Sequence, residues 1–129
     1  MSIVRPTCPD VADPPAGTWS NCLVVDGVAY VAGMTARGSG HSGTAGDEYA
    51  QAKEIFGKIR HLVEAAGGSM ADVVKVTIFV TDIAQREKVW QARREFFTGN
   101  FPTLPRCAAW LTRSSPPTTG SMCWSTTPG

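Results

Sequence analysis

The spacing of apolar residues switches at Gly67-Gly68, and that switch limits what the chain can fold into. Before it, Ala52, Ile55, Phe56, Ile59, Leu62, Val63 and Ala66 recur at three- and four-residue steps, which places one apolar stripe along a helix. After it, residues 73–81 are rich in β-branched side chains and alternate like a strand. Val74, Val76, Ile78 and Val80 fall on one side of that strand, and Lys75, Thr77, Phe79 and Thr81 on the other. Thr44-x-x-Asp47 is the expected cap at the helix start, and the glycine pair is its stop.

The flanking segments complete an order. Pro6, Pro9, Pro14 and Pro15 keep the first residues extended or irregular. Residues 19–25 and 28–32 read as strands joined by Asp26-Gly27, a two-residue hairpin turn. Residues 33–46, rich in Gly, Ser and Thr, read as a loop. Asp82-x-x-Gln85 carries the pattern of a capping box for a second helix reaching about Gly99, with Val89, Trp90, Phe96 and Phe97 as its apolar contacts. Hairpin, helix, strand, helix and a further strand region describe one α+β domain with two helices on one face of a sheet. The other face is left uncovered, with Phe79 on it, so the chain is expected to associate with copies of itself.

Composition narrows the partners. A formal charge of +1 argues against a dedicated nucleic-acid or membrane surface, and Arg86, Lys88, Arg93 and Arg94 read as a solvated helix face. No apolar run resembles a signal peptide or a membrane span, so the expected location is the cytoplasm. Cys8, Cys22, Cys107 and Cys123 are widely spaced with no Cys-x-x-Cys pair, so reduced thiols are expected and no metal site. His41 and His61 have no sequence-local partner and read as surface residues.

Several segments together resemble the Rid family, the reactive intermediate deaminases also called YjgF proteins. They are residues 51–53, Leu62-Val63-Glu64-Ala65-Ala66-Gly67, and the run Asp72-Val73-Val74-Lys75 that continues through Thr77 and Phe79 to Asp82. Val31-Ala32-Gly33 and Glu95-Phe96-Phe97 add to the likeness, which covers residues 15–105. The resemblance implies a chorismate-mutase-like fold, with a mixed sheet and two helices on one face, assembled as a homotrimer with clefts between subunits. It implies hydrolysis of small 2-imino or enamine acids to 2-oxo acids and ammonia, with no metal or organic cofactor. The alternative is a non-catalytic module binding a small carboxylate or a partner protein at the same clefts.

Carried over by position, Gly33 matches the family's turn glycine, whose backbone lines the cleft; a plain turn glycine is the other reading. Trp19 stands where the family has Tyr, either as a cleft wall or as a core aromatic. Trp90 takes the place of a common Asn, implying a bulkier pocket. Arg106, in Pro105-Arg106-Cys107, is one place early relative to the family's carboxylate-binding Arg. On a strand that shift turns the side chain to the opposite face. The family's late Glu has no counterpart, since no Glu follows Glu95.

Residues 106–129 depart from the family pattern. Pro116-Pro117 and isolated Trp110 and Trp124 make poor strands. Met122-Cys123-Trp124-Ser125 constrains its codons tightly, and read one base earlier it encodes Val-Leu-Val when Ser125 uses its commoner codon box. An Asp precedes these if the Ser121 codon ends in G. A single-base deletion near Pro105–Arg106 would account for the tail. Resequencing the gene in several related strains is expected to recover the missing base, and an intact reading shared by all of them would dismiss the idea.

Overall fold

Asp26-Gly27 closes a tight hairpin in the computed structural model, which describes residues 1–36 and 47–99. Both turn residues have positive φ, 49° and 80°, as a type I′ turn requires. The turn joins strands β2 (Cys22–Val25) and β3 (Val28–Val31), which pair antiparallel from Val25↔Val28 to Cys22↔Val31. A short strand β1 (Ile3–Val4) lies on the other edge of β2. The first proline comes only at Pro6, so Ile3 and Val4 keep the amides a ladder needs.

The sheet order is β1-β2-β3, antiparallel throughout among the described residues. The mixed sheet implied by the resemblance is not seen in this part. Residues 73–81 are not a ladder strand there: Lys75 forms a lone bridge, and the rest of the segment carries no strand pairing. The alternation still decides facing. Val76, Ile78 and Val80 pack on the core while Phe79 is 79% exposed, although Val74, expected inward, is 77% exposed. Alternation selects a face, but a ladder also needs a neighbouring backbone, and none of the three described strands lies beside this segment.

Helix α1 (Glu48–Ala65) begins at Asp47, whose side chain accepts from the Ala50 N–H at 3.1 Å. Asp47 is therefore the N-cap itself; Thr44 lies outside the described residues, as do most of the 33–46 loop and His41. The helix ends in a Schellman motif. Gly68 N–H donates to Val63 O and Gly67 N–H to Glu64 O, both at 2.9 Å, with Gly67 at φ 91°. Asp82 accepts from the Ala84 N–H at 2.9 Å, but the turn it caps is a 3-10 turn, Ile83–Gln85. That turn leads into α2 (Arg86–Phe96), which stops short of Gly99.

Two apolar clusters form the core. In one, Phe56, Ala52, Val89, Ala92 and Phe97 are buried between α1 and α2, with Val73 and Val76 packed against them. Phe56 meets Phe97 edge-on at 5.6 Å and Phe96 at 5.7 Å, both favourable aromatic geometries. In the other, Val11, Cys22 and Leu62 join the N-terminal segment, the hairpin and α1. Burial pushes the Cys22 thiol pKa up, which keeps it neutral in this setting.

Register assigns the sheet faces. Cys22 and Val31 point to the second cluster, so Leu23, Tyr30, Val25, Val28 and Ile3 share the opposite face. All five are apolar or aromatic, and Ile3, Val28 and Tyr30 are more than half exposed.

Leu62, 1% exposed, is the largest fully buried side chain where α1 meets the hairpin. Leu62→Ala is expected to cost about 2–5 kcal/mol. Urea denaturation should show a lower midpoint with an unchanged m-value.

Candidate functional site

Two of the expected site residues flank the hairpin's open end. Ala32 N–H donates to Asn21 O at 2.9 Å, extending the pairing beyond Cys22↔Val31. Trp19 and Gly33 lie just outside the paired strands at this end, before Cys22 and after Val31. Trp19 is 56% exposed, which does not fit a core aromatic.

Gly33 is glycine for neither conformation nor close packing. It is absent from the positive-φ residues, and a Cβ there would meet no described residue within 4 Å. Just beyond it, Thr35 O accepts from Lys58 Nζ at 2.9 Å, and Lys58 also pairs with Glu54 at 3.2 Å, tying this end of the hairpin to α1.

Trp90 belongs to a different element. It is half-buried on α2, whose Val89 and Ala92 face α1. Arg106 lies outside the described residues, as do Cys107 and Cys123.

A second group of polar residues was not legible in the chain order. Glu95 on α2 accepts from the Tyr49 hydroxyl and pairs with Lys53 Nζ at 3.2 Å, while Lys53 sits 5.5 Å from the Tyr49 ring centre. Tyr49 and Lys53 lie one helical turn apart on α1, a spacing that puts both over the α2 interface. Lys53 and Glu95 edge a depression of about 500 Å³ that Arg60, Glu64, Met70 and Phe96 also line.

The Tyr49 hydrogen bond, and then Lys53, hold the Glu95 carboxyl below its usual range. The same contacts raise Tyr49 and Lys53, chiefly through Glu95. Glu95 thus bridges α1 and α2, with its charged form favoured by both contacts.

His61 is partly exposed but has a partner that the chain order hides. Its Nδ1 lies 3.6 Å from Asp10 Oδ2, on a half-buried part of α1. The linear sequence gives no sign of this, because Asp10 comes from the N-terminal segment.

The endoribonuclease L-PSP family model, the YjgF/Rid group, matches residues 11–116. The chain belongs to the Rid family. The match spans Trp19, Gly33, Trp90 and Arg106. Among solved structures, this Rid chain is similar to a Pseudomonas aeruginosa protein of unknown function, at 36% identity and a TM-score of 0.71. That likeness covers 78% of this chain and 75% of the other. RidA from an Antarctic Psychrobacter species is 26% identical, covering 77% of this chain and 80% of its own, with a TM-score of 0.66. YyfA of the Rid family from Yersinia pestis, at 22% identity and a TM-score of 0.68, covers 78% of this chain and 81% of its own, and supports the fold. No helix among the described residues of this Rid protein is long and apolar enough to cross a membrane.

Glu95 has its pKa depressed on folding, so its contribution to stability is present above the unfolded-state value and is lost as pH falls through the folded-state value. Glu95→Gln is expected to lower Tm at neutral pH. The gap to the parent protein should close as pH drops through the carboxylate range, measured by calorimetric scans across acid pH.

Proposed function

We propose that this Rid-family chain is a cytoplasmic homotrimeric hydrolase that converts small 2-imino or enamine acids to 2-oxo acids and ammonia. The observation that carries the reading is exposed Trp19, placed at the open end of the hairpin just before Cys22. The relation to RidA supports the same reaction class. The apolar outer face of the sheet supports assembly, since Ile3, Val28 and Tyr30 would be covered by other copies.

The reaction asks little of the protein. Arg106 pairs with the substrate carboxylate through its planar fork of N–H donors. Water adds to the imine carbon, its proton passing to the imine nitrogen, to give a carbinolamine. The hydroxyl proton then passes to the amine nitrogen as the C–N bond breaks, releasing ammonia and the 2-oxo acid. With Glu95 committed to Tyr49 and Lys53 and no later Glu in the chain, backbone groups at Gly33 position the water. Trp19 covers one side of the substrate, and Trp90 narrows the pocket to small side chains. No metal or organic cofactor takes part.

A second reading is a module that binds a small carboxylate without turning it over. It is favoured by Trp90 in place of Asn and by the missing late Glu. Nuclease action, suggested by the family's description, is disfavoured by the charge pattern on α2. Lys88 pairs with Asp47 and Glu48, both at 3.6 Å, and Arg94 lies 3.9 Å from Glu87, which offsets the cationic cluster a phosphate backbone would need.

The test uses an amino-acid oxidase to generate 2-iminopropanoate in the presence of semicarbazide. The protein, shown trimeric by light scattering, is expected to suppress semicarbazone formation. Arg106→Ala should lower kcat/KM by roughly 10- to 100-fold, the worth of hydrogen bonds to a charged group. Gly33→Ala should leave Tm unchanged and raise KM. A folded trimer with no turnover, yet stabilised by 2-oxo acids, would establish the binding module instead.

A further inference from the structure

We propose that Cys8, Asp10 and His61 bind one divalent transition-metal ion of the zinc type. The three side chains come from two separate parts of the fold, a turn in the N-terminal segment and helix α1. Cys8 Sγ lies 3.8 Å from Asp10 Oδ2, and His61 Nδ1 lies 3.6 Å from the same oxygen. All three ligand atoms fall within 4.8 Å of one another. Bond lengths of about 2.0–2.3 Å in a tetrahedral site imply ligand-to-ligand edges of about 3.3–3.6 Å. Two edges are therefore near their bound lengths, and a small side-chain rotation closes the third.

The donor set has the chemistry of such an ion. Thiolate and imidazole suit zinc and its neighbours, whereas calcium and magnesium prefer oxygen alone. The order of contact also matters. Asp10 stands between the thiol and the imidazole, so the arrangement is not the thiol–imidazole–carboxylate chain of a nucleophile relay.

The turn is held in place before any ion arrives. Val11 N–H donates to Cys8 O at 3.2 Å, with Pro9 following Cys8 and fixing its own φ. Val11 is 6% exposed and packs with Leu62, the residue next to His61 on α1. Asn21 Nδ2 donates to Ala12 O at 3.0 Å and anchors the exit from the turn. The packing that builds the second core cluster thus also sets the distance between Asp10 and His61. The Asp10 side chain is 61% exposed and that of His61 35%, so the site opens to water, which supplies the fourth ligand. Bound metal would fasten the N-terminal turn to α1.

The full-length protein, reduced and freed of metal with a chelator, is titrated with Co²⁺ and followed by absorption. One equivalent per chain is expected to saturate a near-ultraviolet thiolate-to-cobalt charge-transfer band, with visible bands of a four-coordinate ion. Zn²⁺ should displace the cobalt and raise Tm. Cys8→Ser should abolish the charge-transfer band. His61→Gln and Asp10→Asn should each weaken binding about tenfold or more, since even outer-sphere partners are worth that much. The double variant Cys107→Ser, Cys123→Ser should keep the band. Circular dichroism checks the fold of every variant, and Asp10→Asn leaves the Val11–Leu62 packing untouched. A missing band at one equivalent, a band that survives Cys8→Ser, or affinity unchanged in both His61→Gln and Asp10→Asn would overturn the site.

Discussion

Helix α1 is the wall shared by both halves of the core. Ala52 and Phe56, near its start, pack against α2, while Leu62, two turns later, packs against the hairpin and Val11. One helix thus serves two clusters that have no buried residue in common. Its ends are fixed by Asp47 and by the Gly67-Gly68 motif, so its length and angle are set locally. The three polar groupings described above all use it: Lys58 reaches the hairpin end, Tyr49 and Lys53 reach Glu95, and His61 reaches Asp10.

Much of the fold was legible because its signals are local. The type I′ turn follows from Asp26-Gly27, since few residue pairs accept positive φ twice. The helix stripe and its glycine stop were equally plain. The strand expected at residues 73–81 shows where local reading ends. Side-chain alternation predicted the facing of Val76, Ile78 and Phe79, but pairing is a property of two segments, and β-branched residues in one do not supply the other. Strand β1 was missed for the opposite reason: two residues are too few to show a period.

The site was less legible, for a physical reason. Trp19 and Gly33 fall at the same end of the hairpin, a placement that can be counted from the turn. Glu95 with Tyr49, and His61 with Asp10, meet only after helices and segments have packed, and no spacing in the chain encodes those distances. Through the Glu95 contact, Tyr49 and Lys53 favour the charged form of that residue.

The hairpin turn has a consequence for how this sequence can drift over evolutionary time. Asp26 at φ 49° and Gly27 at φ 80° accept a narrow alphabet, essentially Gly, Asn and Asp. A lineage that lost this pair would have to change loop length, and an odd change in one strand's register inverts its faces. Leu23 and Val25 would then turn inward and Cys22 outward, exchanging an apolar outer surface for a thiol-bearing one. Two exposed residues far from any chemistry therefore constrain which neighbours the whole sheet can meet.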